Sequence, residues 1–353
     1  MGDVIGELDE LASNHEKVCV GDVLDDFGAR SFGPFIMIPA LLELTPVGGI
    51  PGLPTALALF ISLIAVTMII FSLGRITGNP LDVLLPLEAE EEDRIRVEKV
   101  WGLDKPITTQ YFIFIKNAAS GNFGESIKWR GNSPMGLVLD RLPATAILAL
   151  VALGVATLIA IPIGVISAVH RGTVFDFGGK IVALFGQSLP AFWLGIVLMW
   201  IFAVELGWLP TSGNSEVKSI ILPAIAIGWF QVAALMRLVR SSMLDVLDSE
   251  FVKLARIKGV SENKVIWKHC LRNAGITPLT YFGLILGGLM VGSVSIETVF
   301  NWPGVGLLAI DAARARDFQV LQAVVIMFSG IYIVANLAVD IAYAYLDPRI
   351  RYT

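Results

Sequence analysis

The residues with the most reactive side chains are few, and the two cysteines lie far apart in the sequence. They are three histidines, His15, His170 and His269, and two cysteines, Cys19 and Cys270. A metal site draws its ligands from short, regular spacings, and here neither a C-x-x-C pair nor a His/Cys cluster occurs. The sequence therefore predicts neither a metal site nor a disulfide framework, and we expect the histidines to be surface or interfacial residues.

A nucleotide-binding loop is also missing from the sequence. The nearest approach to G-x-x-x-x-G-K-[ST] is Gly178-Gly179-Lys180-Ile181, which lacks both the upstream glycine and the hydroxyl group that would contact Mg²⁺. No loop contains a recognisable pair of a nucleophilic residue and a base that would activate it. We therefore expect a chain that is not an enzyme, binds no cofactor and does not itself hydrolyse ATP.

The stretch from Glu250 to Arg272, EFVKLARIKGVSENKVIWKHCLR, carries most of the charge between two long apolar runs. Its apolar residues recur at helical spacing, Gly259 can adopt a positive φ that ends a helix, and Ser261 can cap the next one. The pattern predicts a helix, a turn and a helix. Such a segment is either a solvated connector or a surface that meets a partner, and spacing alone leaves both open.

Composition places this stretch in a membrane protein. The chain has 353 residues, 55% of them hydrophobic and 16% charged, with a mean hydropathy of +0.72, which is too apolar for a soluble domain of that length. About 20 apolar residues cross a bilayer as a helix. Six runs meet or approach this length: Thr55–Gly74, Leu142–Val169, Ile181–Val204, Ser219–Met236, Asn273–Ile296 and Phe318–Val339.

The lysine and arginine residues of the short loops predict the orientation. If residues 237–272 face the cytoplasm, the short inside segments hold twelve of these residues and the short outside segments hold three. This bias satisfies the positive-inside rule. We therefore expect an all-α, polytopic protein with six spans, both termini in the cytoplasm, and the polar region 75–141 outside, between spans 1 and 2.

The N-terminal 52 residues yield weaker predictions. Residues 1–32 are acidic and suggest an amphipathic helix, whereas the run from Phe32 to Thr45 is too short to span and suggests a buried or re-entrant piece.

A few polar side chains lie inside the predicted spans. Facing lipid would be costly for them, so they are the candidates to line a translocation path. The prolines and glycines of the same spans can kink helices or simply allow close packing. The polar candidates are Gln187, Ser188, Gln231, Ser293 and Ser295.

Residue patterns around the charged stretch resemble the permease subunits of dipeptide and oligopeptide ABC importers. Their cytoplasmic coupling loop shows Ala-Arg-x-Lys-Gly followed by Lys/Arg-His-x-Leu-Arg-Asn-Ala. Two positions depart from the general family motif, because Lys253 and Leu254 stand where the motif has Glu and its first Ala. The matching residues are Ala255, Arg256, Lys258, Gly259, Lys268, His269, Leu271, Arg272, Asn273 and Ala274.

Further motifs extend the resemblance from about residue 71 to the C-terminus. They include Trp101–Pro106, Gly121–Ser126, Arg141–Thr145, the Glu-Thr-x-Phe-x-x-Pro-Gly-x-Gly element of Glu297–Gly306, Ala312–Phe318 and the closing Leu346–Arg351. In contrast, the stretch from about Asp22 to Ile70 resembles ExoD-type exopolysaccharide-synthesis membrane proteins. We interpret the chain as a fusion, arising by natural rearrangement or from an error in the gene model.

The permease resemblance implies a domain plan and a set of partners. Residues 1–70 would be the ExoD-like segment, 71–141 the end of span 1 and the extracytoplasmic region, and 142–353 the permease domain, with its coupling loop at 250–272. The partners would be two ATP-hydrolysing subunits, a second permease and a periplasmic binding protein in a bacterial inner membrane. Peptides are the favoured substrates, with nickel chelates, glutathione or opines as alternatives. An ExoD-like role in exopolysaccharide production, or an inactive fusion, remains the competing interpretation.

Overall fold

The computed structural model describes residues 53–76, 95, 98–99 and 102–346. These residues form helices, turns and loops, with no strand among them. The chain divides into two compact units, residues 1–73 and 74–353. The helix and re-entrant piece predicted within residues 1–45 lie outside the described residues.

The helices follow one another with short connections. In chain order they are α1 (Leu53–Ile76), α2 (Ile107–Ala119), α3 (Pro134–Val169), α4 (Val174–Ser188), α5 (Ala191–Leu198), α6 (Ile221–Leu247), α7 (Glu250–Ile257), α8 (Glu262–Lys264), α9 (Leu271–Ala274), α10 (Ile276–Gly292), α11 (Val294–Val299), α12 (Val305–Arg314) and α13 (Phe318–Leu346). Three further segments connect these helices. Helix α5 continues into a π-helical segment, Met199–Glu205, and a 3₁₀ turn, Val217–Ile220, leads into α6. A second π-helical segment, Val265–Cys270, joins α8 to α9.

Helix α6 is the centre of the larger unit. It packs most extensively against α3 and also contacts α4, α5 and α10. The approach to α3 is close because small residues line it: a Cβ added at Gly228 would lie 2.7 Å from the Ala152 carbonyl oxygen, and one at Gly164 would lie 2.9 Å from that of Met236. Backbones can approach this closely only where side chains are absent or small.

Three described helices are long and apolar enough to cross a membrane, namely Pro134–Val169, Val217–Leu247 and Phe318–Ala338, and the bent pair α4 and α5 makes a fourth if it counts as one span. Shorter apolar stretches, Phe60–Ser72 and Ile285–Val299, lie within α1 and within α10 and α11. The structure thus supports a polytopic helical protein, and the count of six spans stays a prediction.

The structure adds detail to two of the predicted spans. The run from Ile181 to Val204 is not one straight helix, because α4 and α5 meet at an angle of 103°. Pro190 cannot donate a backbone hydrogen bond, and it disfavours helical geometry at Leu189, which is extended with φ −94° and ψ 124°. The second predicted span, placed at Leu142, begins earlier, at Pro134, since Ser133 accepts a hydrogen bond from the Gly136 amide and proline suits the first helical turn.

Candidate functional site

The predicted helix, turn and helix between residues 250 and 272 is confirmed. Helix α7 ends in a turn where the Gly259 amide donates to the Arg256 carbonyl and the Val260 amide donates to the Ala255 carbonyl. This pair of bonds is a Schellman motif, which requires a left-handed residue just after the helix. Gly259 supplies it with φ +75°. Ser261 occupies the N-cap position of α8, although its side chain makes no capping hydrogen bond to a described residue.

The inner face of this segment is anchored on two long helices. Val252, Val265, Ile266 and Cys270 are buried in one apolar cluster with residues from the ends of α3 and α6, including Val165 and Met243. Burial also raises the pKa of the Cys270 thiol, so it is an apolar core group here. The 250–274 segment is therefore packed directly on α3 and α6.

The outer face carries a second set of apolar side chains that the described residues do not cover. Phe251, Leu254, Ile257 and Trp267 are 43%, 50%, 82% and 44% exposed. Lys258, Lys264 and Lys268 are exposed in the same segment. We call these four apolar residues the outer apolar face; such a patch, surrounded by charge, is typical of a surface that binds another protein.

Arg256 and Glu262 stabilise the turn between the two helices. The Arg256 Nη2 donates to Glu262 Oε1 at 2.7 Å and its Nε donates to Oε2 at 3.2 Å, in a two-point contact that matches a guanidinium to a carboxylate. The pairing raises the pKa of Arg256 and lowers that of Glu262. Because the Glu262 pKa is depressed, this contact stabilises the folded state at pH values above the usual carboxyl pKa. That stabilisation is lost as the pH falls through the lowered pKa of Glu262.

The other predicted coupling residues lie on the same segment. Lys258, Lys268 and Arg272 are exposed, Ala255 is partly buried, and Asn273 donates its side-chain amide to the His269 carbonyl oxygen at 2.7 Å. The structure therefore brings this predicted group together on one helical hairpin, while their role in coupling stays a prediction.

The five polar residues predicted to line a path have different environments. Gln187 and Ser188 are exposed on α4, and Ser188 donates to the Leu184 carbonyl. Gln231 is half-buried on α6, and its Oε1 atom has no hydrogen-bond partner among the described residues. Ser295 is exposed, whereas Ser293 is fully buried and donates to Glu297 Oε1 at 2.7 Å. The structure does not gather these five residues into one site.

Glu297 is a buried polar centre that the spacing arguments missed. Its Oε1 also accepts from Thr145 Oγ1 at 2.8 Å, and its Oε2 accepts from the Leu307 amide at 3.0 Å. Thr145 in turn accepts from the Val305 amide at 2.9 Å. These two amides belong to the first turn of α12, where helices need acceptors and favour a negative group.

The same contacts explain the glycines of the Glu-Thr-x-Phe-x-x-Pro-Gly-x-Gly motif. A Cβ at Gly304 would overlap the Glu297 carboxyl group, and a Cβ at Gly306 would lie 2.6 Å from the Val294 Cα atom. The motif thus places backbone atoms closely around the buried Glu297 carboxylate, an arrangement that we call the Glu297 cradle. The signal that could have identified it is an acidic residue inside an otherwise apolar run, which is costly unless it is bonded.

Asp317 plays a parallel part at the start of α13. It accepts hydrogen bonds from Ser126 Oγ at 2.6 Å, from the amides of Ile127 and Lys128 at 2.9 and 3.0 Å, and from the Val320 amide at 3.2 Å. It therefore caps α13 and fixes the loop that contains the Gly121–Ser126 motif. Two motifs that lie far apart in sequence are joined through one buried carboxylate.

Asp176 joins three helices at the other end of α3. It accepts from Ser167 Oγ on α3 at 2.7 Å, from Arg240 Nε on α6 at 2.8 Å and from Lys180 Nζ on α4 at 3.0 Å. Asp176 is almost fully buried, and its contacts with Arg240 and Lys180 offset the cost of removing its charge from water. Among the described residues, no group of His, Cys, Asp and Glu could hold a metal ion.

Residues 160–352 match the protein family described as the inner membrane component of binding-protein-dependent transport systems. This match covers more than half of the chain. The chain belongs to this family. Residues 4–73 of the chain match a second family, described as exopolysaccharide synthesis, ExoD.

Curated relatives agree over nearly their whole length. The permease is 37% identical over 301 residues to the oligopeptide transport system permease protein AppB of Bacillus subtilis (strain 168), covering 82% of this chain and 95% of that one. It is 38% identical over 318 residues to the di/tripeptide transport system permease protein DppB of Pseudomonas aeruginosa (strain UCBPP-PA14), covering 81% and 94%. It is 39% identical over 290 residues to the glutathione transport system permease protein GsiC of Salmonella choleraesuis (strain SC-B67), covering 82% and 94%.

Among solved structures, the permease aligns with a crystal structure of an amino acid ABC transporter with histidines. The TM-score is 0.45 at 14% identity, over 61% of this chain and 94% of that one. A likeness of this size supports no argument about the site.

Proposed function

We propose that this permease is the membrane-spanning subunit of an ATP-driven importer that moves di- or oligopeptides into the cytoplasm. The observation that carries the proposal is the 250–274 hairpin, whose inner face is packed on α3 and α6 and whose outer apolar face is uncovered. Relatives named as oligopeptide, di/tripeptide and glutathione permeases support the substrate class.

The partners in this proposal follow from the family. Two ATP-hydrolysing subunits, a second permease and a substrate-binding protein outside the membrane would complete the transporter. The outer apolar face would dock on an ATPase subunit, and movement of that subunit would pass through the buried inner face to the long helices. The permease itself would have no catalytic activity.

The topology in this proposal has six spans: α1, α3, the bent pair α4 and α5, α6, the α10 and α11 pair, and α13. Both termini and the 250–274 hairpin would face the cytoplasm of a bacterial inner membrane. Region 75–141 and α12 would then face outward, where Asp317 and Glu297 hold the loops in place.

The experiment that tests this function is uptake of radiolabelled dialanine. A strain in which the gene is deleted should lose ATP-dependent uptake, and the full-length gene supplied on a plasmid should restore it. Uptake that is unchanged by the deletion, in a strain without a second peptide importer, would contradict the proposal.

The second candidate function rests on the ExoD match at residues 4–73. An exopolysaccharide role would appear as loss of secreted polysaccharide in the same deletion strain, with dialanine uptake intact. A fusion without activity would give neither phenotype on deletion.

A further inference from the structure

Arg237 differs from the other cations near the end of α6. Arg240 and Lys180 are both paired with Asp176, as described above. The Arg237 side chain is exposed and makes no hydrogen bond or ion pair with any residue that the structure describes. A guanidinium group always carries a charge and has five donors to place. An arginine at the end of a membrane helix reaches water by snorkelling, so Arg237 keeps its five donors available for a ligand.

The surroundings of Arg237 form a groove with Arg237 in its floor. On one side lies a cleft of about 350 Å³ between α4 and α6, which Lys180, Leu184, Gln187 and Met236 also line. On the other side lies a cleft of about 310 Å³ that Ala234, Leu238 and Tyr281 of α10 also line. Among the described residues that border the two clefts, Arg237 lines both.

The shape of the groove argues against a lipid-facing position. Helix α6 is the most buried of the three long apolar helices that the structure describes, because 67% of its most apolar 18-residue stretch is buried. Its exposed strip at Arg237 lies between α4 and α10 rather than on an outer ridge. Arginine facing hydrocarbon would be costly, so this strip fits an aqueous path better than a lipid surface.

Charge in the groove selects the ligand. One carboxylate, Asp176, faces Arg240 and Lys180, and Arg237 adds a positive charge that the described residues do not balance. A guanidinium group binds a carboxylate through two parallel hydrogen bonds. The amide of Gln187 and the exposed apolar side chain of Leu184 would suit the adjoining peptide backbone and a small side chain.

We propose that Arg237 binds the C-terminal carboxylate of a peptide in transit, at the cytoplasmic end of the translocation path. This site rests on the proposed peptide-importer function and specifies which group of the substrate the permease recognises. Gln187 is then a neighbour of the bound peptide, whereas the ion pair of Asp176 with Arg240 holds α4 and α6 at the spacing that forms the cleft.

The test uses the intact transporter that contains this chain, purified without its binding protein and placed in phosphatidylcholine nanodiscs. Saturation-transfer NMR measures binding of dialanine and of dialanine amide, which lacks the carboxylate. Arg237→Gln should weaken dialanine binding about tenfold, the size expected for a lost charge-assisted contact. Binding of the amide should be weak in the parent and unchanged in the variant.

Two further variants act as controls. Arg237→Lys keeps the charge but not the two-point geometry, and it should restore part of the dialanine binding. Arg171→Gln removes an exposed cation from the α3–α4 connection and should leave dialanine binding unchanged. Each variant must still co-purify with the ATPase subunits, which shows that it folds and assembles.

Several outcomes would overturn the site. One is equal binding of dialanine by Arg237→Gln and the parent. Another is that Arg237→Gln weakens binding of dialanine amide as much as it weakens binding of dialanine. The third is that the parent complex gives no dialanine signal. Loss of a bound anionic phospholipid, measured by mass spectrometry, with dialanine binding unchanged would reassign Arg237 to a lipid headgroup. If dialanine uptake in cells is normal but the NMR result is negative, this site fails while the proposed function stands.

Discussion

At the scale of single residues, Glu297 and Asp317 show what buried carboxyl groups do in this protein. Each accepts several hydrogen bonds from groups distant in sequence, and each lies at the first turn of a helix. A buried polar group left without partners costs about 1–3 kcal/mol, so these bonds hold the connected loops in one arrangement. The carboxylates are therefore positioning groups for the region between α11 and α13.

The fit around Glu297 predicts the effect of Gly304→Ala. The added methyl group would overlap the Glu297 carboxyl group and must displace it from Thr145 and Leu307. We expect a loss of about 1–3 kcal/mol in the free energy of unfolding, as for other overpacked sites. The measurement is thermal unfolding of the purified transporter in detergent.

The matched control for this prediction is Gly330→Ala. Gly330 lies inside α13, where an added Cβ would have no atom within 4 Å, and alanine favours a helix over glycine. This variant should leave the unfolding temperature equal or raise it. An unfolding temperature for Gly304→Ala equal to that of the parent would contradict the role of the Glu297 cradle.

Gly259 gives a second prediction at this scale. Valine at φ +75° is strained by about 1–3 kcal/mol, while nothing within 4 Å would obstruct its side chain. Gly259→Val should therefore alter the turn of the hairpin without disturbing the core. We expect strongly reduced dialanine uptake at a normal level of membrane insertion.

Asparagine tolerates the left-handed region better than other residues, so Gly259→Asn should retain much of the uptake. Normal uptake by the valine variant would show that the turn geometry does not matter for coupling.

At the scale of elements, the contact of α3 with α6 depends on small residues. A Cβ at Gly228 would lie 2.7 Å from the Ala152 carbonyl oxygen, which belongs to the backbone and cannot move alone. Gly228→Ala should push the two helices apart and lower the unfolding temperature. Gly154→Ala, on α3 with open space at its Cβ, is the control and should have no such effect. Equal unfolding temperatures for the two variants would contradict the close packing of α3 on α6.

The outer apolar face provides the prediction for the hairpin as an element. Ile257→Ser removes the most exposed of its four apolar side chains, and it should weaken retention of the ATPase subunits several-fold without changing insertion. Retention is measured by quantitative mass spectrometry after affinity purification. Val174→Ser, at an equally exposed valine on α4, is the control. The same ATPase yield from both variants would place the docking surface elsewhere.

The elements also show how far the sequence could predict the fold. Local signals were sufficient for the hairpin, because Gly259 and the apolar spacing specify the turn within a few residues. Pro190 could have predicted the bend at Leu189-Pro190. Hydropathy alone does not reveal the bend, because the sequence on both sides of it is apolar. The bonds of Glu297 to Thr145 and of Asp317 to Ser126 join residues more than 150 positions apart, and no local pattern predicts such partners.

At the scale of the whole molecule, the two family matches occupy separate parts of the chain, residues 4–73 and residues 160–352. The ExoD match ends at residue 73, which is also the last residue of the first compact unit. The permease match and the hairpin both belong to the second unit. The sequence therefore predicted the class of the protein and the position of the hairpin.

The most direct test of coupling through the hairpin is a mild-detergent purification of the C-terminally tagged chain from its own membranes, followed by mass spectrometry. We predict recovery of ATPase subunits and a second permease, together with tryptic peptides from residues 1–70 of the tagged chain. Recovery of the tagged chain without any ATPase subunit, both at full length and after removal of residues 1–52, would contradict the claim that the 250–274 hairpin couples this permease to ATP hydrolysis.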